Sequence, residues 1–282
     1  MNICCNLSSI YRIISVRYII HNTFLSEEFV KTAIENDETG ELAELYEKFT
    51  TSKDFVEKRY CAKRILYIIT DSYELEPNSR GGNIDARDLH VIETFMGRDF
   101  KGANGTNPNA NAATILKDIS LTIEDIYYNY LNMETVDGIY TNTICKYEDE
   151  SGKTIIDLSA LQSILSYEVE NGINVDSIIY SVGAYLTQLD KTYSTDSFAE
   201  FKTYCTELSP EYAVIVDYSE NSNTFLGTNS NESLSGTDAN DLMFGDAGND
   251  RISGGNGKNI IKGGFGDDSL AGGSENNILY GD

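Results

Sequence analysis

At 282 residues the chain has room for one to two domains, and 40% hydrophobic residues, with 19 Tyr and 11 Phe, can bury a sizeable core without any Trp. Against 45 Asp plus Glu stand 21 Lys plus Arg, a formal net charge of −24. That excess argues against nucleic acid or stable insertion into an anionic membrane, since both would repel the chain; it favours a divalent cation and otherwise serves solubility.

The opening MNICCNLSSIYRIISVRYII is apolar but interrupted by Arg12, Arg17 and His21, and it lacks a basic leading segment. It predicts neither a cleavable signal peptide nor a membrane span, so residues 1–25 form an unassigned N-terminal segment. Five cysteines, Cys4, Cys5, Cys61, Cys145 and Cys205, show no CxxC and no paired spacing, which predicts buried free thiols rather than a disulfide framework.

From 26 to 209 the periodicity is that of helices. Leu42, Leu45, Tyr46 and Phe49 follow i, i+3, i+4, i+7, and Leu158, Leu161, Leu165 and Ile179, Val182, Leu186 keep part of the pattern. Ser26, Asp54 and Asp196 are predicted N-caps, the last for a helix carrying Phe198, Phe201 and Tyr204, while Pro77, Pro108 and Pro210 punctuate the bundle. The run Ile65-Leu66-Tyr67-Ile68-Ile69 is a core stripe, too short to span a bilayer. In the stretch NSRGGNIDARDLHVIETFMGRDFKGANGTNPNANAATIL (78–116), Gly82, Ile84 and Asp88 have the spacing of positions six, eight and twelve of a helix–loop–helix calcium loop. Pro77 and Gly81 would fill its first and fifth positions without a side-chain ligand, so a turn capped by Asp85 and opening a helix over about 84–96 is the better reading. Residues 210–226, which include the polar run SENSNT, predict a linker.

Catalytic motifs do not emerge. The two histidines, His21 and His90, are too far apart for an HExxH zinc helix, and neither a GxSxG elbow nor a phosphate-cradling GxxxxGK[ST] occurs. His90, beside Asp88 and Glu93, reads as a half-buried helix residue, and Glu148-Asp149-Glu150 as a solvated loop. The expectation is a chain without enzymatic activity of its own.

The tail is different in kind. From Gly227 it divides into nines: GTNSNESLS, GTDANDLMF, GDAGNDRIS, GGNGKNIIK, GGFGDDSLA, GGSENNILY and an opening GD. Slot one is always Gly; slot eight is Leu234, Met243, Ile252, Ile261, Leu270 and Leu279; slot six is Glu232, Asp241, Asp250, Asn259, Asp268 and Asn277. A phased glycine with a reserved aliphatic is the signature of a stacked repeat rather than a flexible linker. Glycine permits the positive φ of a tight turn, slots seven to nine make a short strand, and slot eight fills a thin core. Inward carbonyls ending on a carboxylate form a hard-oxygen site suited to calcium and unsuited to zinc.

Residues 227–282 thereby resemble the GGxGxDxUx nonapeptides of the repeats-in-toxin (RTX) family of haemolysin-type calcium-binding proteins. The 78–116 segment, through its IDAR-x-L (84–89), FMG-x-x-F (95–100) and NG-x-NPN (104–109) elements, resembles a helical segment that recurs beside such repeats in very large proteins. The resemblance implies an α+β multidomain chain: a mainly α-helical region followed by a C-terminal parallel β-roll, truncated here. Because the sequence stops two residues into a seventh repeat, it reads as a fragment. Two nonapeptides make a coil, so repeat n stacks on repeat n+2.

The family's ligand pattern implies one site from the carbonyls of Asp246, Gly248, Gly263 and Phe265 with the side chains of Asp250 and Asp268. A second would use Thr228, Ser230, Gly245 and Ala247 with Glu232 and Asp250. On the even-numbered repeats Asp241 pairs with Asn259, and Asn259 with Asn277, so the anionic ligands fall from two to one to none. Asp250 serves both odd sites, which makes Asp250→Asn the most damaging single change and Asn277→Ala a nearly silent one. The implied function is a calcium-binding, non-enzymatic module of an extracellular toxin-like or surface protein, exported by a type I route and facing an unidentified cell-surface or host target. The alternative is the carrier end of a type I-secreted protease, lipase or lyase.

Overall fold

The computed structural model describes residues 27–101, 108–133 and 135–281; Cys4, Cys5, His21, Ser26 and residues 104–107 of the NG-x-NPN element lie outside the described residues. Its helices are α1 (Glu27–Asn36), α2 (Glu41–Thr51), α3 (Phe55–Ile69), α4 (Ala86–Met96), α5 (Ala110–Met133) and α6 (Val136–Thr141). A hairpin of β1 (Cys145–Glu148) and β2 (Thr154–Asp157) follows, then α7 (Ser159–Glu170), α8 (Asp176–Tyr193), α9 (Ser197–Leu208) and α10 (Pro210–Asn221). The chain divides into two compact units, one from residues up to 48 with 61–130, the other from 49–60 with everything from 131 on.

In the first unit the 84–97 motif is a helix capped at both ends. Asp85 Oδ1 accepts the Arg87 N–H at 2.8 Å and its Oδ2 pairs with the Arg87 guanidinium at 2.8 Å; Gly97 closes the helix in the left-handed region at φ 62°. Asp88 accepts the Tyr67 hydroxyl at 2.7 Å and lies 3.4 Å from the buried Lys63 ammonium, which also bonds Glu124 at 2.6 Å. Its carboxylate is therefore committed to a cation of the chain itself, and the calcium-loop spacing here is only a turn.

In the second unit, Leu158, Leu161, Leu165, Ile179, Val182, Leu186, Phe201 and Val216 form a continuous core. Asp54 caps α3 through the Val56 N–H at 2.8 Å. Asp196 occupies the N-cap position of α9 without a side-chain bond; the carboxylate that caps that helix is Asp190, which accepts Ser197 N at 3.0 Å and Phe198 N at 2.9 Å. Residues 210–221, expected as linker, are helical. Pro210 starts α10 at a position where its missing N–H costs nothing, and Tyr212 and Val216 point one turn apart into the core. Of the described cysteines, Cys61 and Cys205 are buried as expected, burial pushing the Cys205 thiol up to about 12, whereas Cys145 is exposed on the hairpin.

The chain passes from α10 into the roll without a gap. Strands β3 (Ser222–Thr228), β5 (Asn240–Asp246), β7 (Ile260–Lys262) and β9 (Ile278–Tyr280) make one parallel sheet, and β4 (Ser233–Ser235), β6 (Arg251–Ser253) and β8 (Ser269–Ala271) the other. Met243 lies opposite Ile261 and Ile261 opposite Leu279; Leu234 lies opposite Ile252 and Ile252 opposite Leu270. Repeat n thus stacks on repeat n+2, as the nonapeptide register requires. Met243, Ile252 and Ile261 are fully buried between the sheets, with Phe225, Leu234 and Leu270 packed on them. Leu279, in the last coil, is 46% exposed.

The two sheets differ on their outer faces. Beside the slot-eight residues the odd sheet shows solvent Ser233, Arg251 and Ser269, the alternation of a one-sided sheet. The even sheet buries Leu242, Phe244 and Ile260 as well. The Tyr60 ring lies 5.0 Å from that of Phe244, and Lys258 pairs with Asp217 of α10 at 3.2 Å. Lys258 and Lys262 point away from the core as expected, toward Asp217 and Asp54.

Candidate metal centre

Slot one carries glycine for a reason other than φ. None of the six slot-one glycines from 227 to 272 has positive φ. A Cβ on Gly245 would collide with the Gly263 carbonyl oxygen and stand 2.5 Å from Asp250 Oδ2; one on Gly236 would meet the Gly254 carbonyl and Asp241 Oδ2 in the same way. The coils approach each other backbone to backbone at this slot, so only hydrogen fits. The left-handed residues are at slots two and four: Asp246 (φ 68°), Gly255 (86°), Gly264 (95°) and Gly273 (101°), then Gly248 (125°), Gly257 (77°) and Gly266 (133°). Repeats one and two have Thr at slot two and close their turns differently.

Slot six forms a ladder along each edge. The side-chain Oδ1 of each later coil accepts the slot-six N–H of the coil before: Asp250 from Glu232 at 2.8 Å, Asp268 from Asp250 at 2.8 Å, Asn259 from Asp241 at 2.9 Å and Asn277 from Asn259 at 2.7 Å. One oxygen is thereby spent on stacking. What the other atom meets distinguishes the sites.

In repeat one the Glu232 carboxylate is satisfied within its own turn, by Thr228 N at 2.8 Å and Thr228 Oγ1 at 2.7 Å. Asp241 is satisfied likewise by Thr237 N at 2.7 Å, Thr237 Oγ1 at 3.0 Å and the Asn223 amide at 2.8 Å. Asp250 and Asp268 have no such threonine. Their Oδ2 atoms are buried and without a hydrogen-bond partner, although buried carboxylate oxygens are normally paired. Burial raises the Asp250 pKa above the ordinary aspartate value; the Glu232 N–H opposes this, and the charges of Glu232, Asp268 and Asp246 add to it. Burial also raises that of Asp241, against its hydrogen bonds from Thr237 and Asn223. Two orphaned carboxylate oxygens beside the Gly263 carbonyl make an electronegative pocket that a hard cation neutralises.

The remaining predicted ligands are placed as follows. The Asp246 and Phe265 carbonyls are bonded to Phe265 N at 2.8 Å and Gly248 N at 2.9 Å, and the Gly248 carbonyl lies against Gly266. Thr228 O accepts Ala247 N at 3.1 Å, Ser230 O lies against Gly248 and Gly245 O against Gly227. Each carbonyl keeps a second lone pair for an ion. These groups match calcium in kind, since all are oxygens; among the described residues no cluster of three or more His, Cys, Asp or Glu is placed to hold a metal ion. Asn223 was missed by sequence reasoning. It is the slot-six residue of a half-coil ahead of repeat one, eighteen residues before Asp241 in the β3–β5 register, and counting back by nines would have reached it, although slot one there is Tyr218.

Asn277→Ala should leave calcium stoichiometry unchanged, but it orphans the Asn259 N–H and should cost the roll about 1 kcal/mol. Hydrogen exchange at the Asn259 amide checks this; protection equal to that of the unaltered chain contradicts the slot-six ladder.

A family model for the RTX calcium-binding nonapeptide repeat, in four copies, matches residues 226–261 and 253–282. No curated protein and no solved structure matches the chain.

Proposed function

We propose, for a chain whose tail is a β-roll of RTX calcium-binding nonapeptide repeats, that calcium binds first between repeats three and five. There the side chains of Asp250 and Asp268 and the carbonyls of Asp246, Gly248, Gly263 and Phe265 hold it. The observation that supports this placement is the pair of buried, partnerless Oδ2 atoms. The site between repeats one and three fills later, because Thr228 already satisfies Glu232.

The chain acts as a non-enzymatic, calcium-dependent module of a secreted toxin-like or surface protein, exported by a type I route and folding outside the cell. Extracellular calcium modules bind at about 10⁻⁴ to 10⁻³ M, a range matched to extracellular and not cytosolic calcium. No helix among the described residues is long and apolar enough to cross a membrane. Calcium titration of the unaltered chain and of Asp250→Asn tests the reading. The first binding event should weaken at least tenfold in the variant; unchanged affinity, or no binding by the unaltered chain, would refute it.

A further inference from the structure

On the even edge the position equivalent to Asp250 is Asn259, and it is completely buried. Its Oδ1 accepts the Asp241 N–H at 2.9 Å, which leaves the amide nitrogen facing inward. That nitrogen donates toward three carbonyl oxygens, Gly272 at 3.0 Å, Asn256 at 3.1 Å and Gly257 at 3.3 Å. The orientation is determined by the network. Turned over, the oxygen would face three carbonyls and the NH₂ would face an N–H donor. Gly257 and Gly272 supply the slot-four and slot-one carbonyls that the repeat pattern offers to an ion between repeats four and six. A Cβ on Gly254 would stand 2.5 Å from the Asn259 amide nitrogen, as one on Gly245 would stand 2.5 Å from Asp250 Oδ2. The two edges thus place opposite polarities in one geometry: a bare carboxylate oxygen at 250 and an N–H donor at 259.

We infer that Asn259 is a built-in substitute for the cation, and that the even edge between repeats four and six is held by its amide instead of by calcium. This rests on the calcium reading of the odd edge and extends it. Calcium then loads the odd edge, whereas the even edge between repeats four and six, next to the buried Ile260, closes without an ion. One carboxylate at this position would restore an anionic ligand among the same carbonyls.

The test is calcium stoichiometry of the full chain by equilibrium dialysis, with hydrogen exchange of the tail in saturating calcium, for the unaltered protein, Asn259→Asp and Asn259→Ala. Asn259→Asp should bind one more calcium than the unaltered protein. Asn259→Ala should bind the same number while exchange at the Asp241 amide speeds up at least tenfold. If Asn259→Ala loses an ion, or Asn259→Asp gains none, the inference is wrong, because Asn259 is then an ordinary ligand or the pocket cannot take a cation. An unaltered chain that binds no calcium defeats the proposed function instead, and the gain in Asn259→Asp is still read against that baseline.

Discussion

Chelating calcium should unfold the roll from its C-terminal end while the helices persist. The core between the sheets is three fully buried side chains wide, Met243, Ile252 and Ile261, too few to offset the backbone entropy of this many ordered residues. Without an ion the Asp250 and Asp268 Oδ2 atoms stay buried and unpaired, which works against the folded turns. Calcium at a hundred times its dissociation constant adds about 2.7 kcal/mol per site. Repeats one and two should hold longest, since Thr228 and Thr237 satisfy their acids and Phe244 is covered by Tyr60. Hydrogen exchange in millimolar calcium and in chelator checks this: amides from 245 to 281 should lose protection by orders of magnitude and those of α8 should not. Equal protection of 245–281 in both conditions would defeat the idea. Asp250→Asn should bind less calcium yet lose less protection on chelation, because its amide can face the Gly263 carbonyl as that of Asn259 faces Gly272.

Asp137→Ala should destabilise the helical part of the second unit by about 3–5 kcal/mol. Lys58 and Asp137 are 1% and 2% exposed and paired at 2.5 Å; Asn132 Oδ1 accepts a second Lys58 proton at 2.8 Å, and the Phe49 ring centroid lies 5.0 Å from the ammonium. Burial pushes the Lys58 pKa below the ordinary lysine value, and the Asp137 charge and hydrogen bond pull it back up. Removing the carboxylate leaves a buried charge with one neutral acceptor. The loss should shrink as pH rises: a lysine whose pKa is depressed on folding leaves the unfolded chain holding more protons, and stability then increases with pH. At about 2–4 °C per kcal/mol for a unit of this size, thermal melting in calcium should shift down by about 10 °C. Lys58→Met combined with Asp137→Leu should recover most of it. A single-variant loss below about 1 kcal/mol would mean that water reaches the pair.

Much of the tail was legible because a nine-residue period fixes which side chains share a face. That period alone assigns Met243, Ile252 and Ile261 to the core, and two nonapeptides to a coil put repeat n on repeat n+2. The inward direction of an amide was not legible, since Asn259 and Asn277 are the same letter and differ only in what their nitrogens meet. The reason for slot-one glycine was misassigned for a related cause: a close approach between coils leaves no mark within a single turn. Upstream, the 3.6-residue period located α7 and α8, but the hairpin escaped because all four residues of β1 are exposed and show no alternation. Residues 219–224 looked like a linker on polarity alone, whereas Ser222 and Asn223 pair with Asn240 and Asp241 of the next even strand.

The difference between the outer faces of the two sheets has a bearing on how the tail can change in length. Leu242, Phe244 and Ile260 are buried outside the slot-eight core on the even side, whereas Ser233, Arg251 and Ser269 occupy the odd side. Losing one nonapeptide would exchange odd for even in every coil downstream. Serine and arginine would then lie where the covered face needs apolar side chains, and the Asn259 column would change places with the Asp250 column. Losing two restores the parity. Tandem gain and loss in this array is therefore quantised at eighteen residues, and a natural variant shorter or longer by nine should carry compensating replacements on both faces.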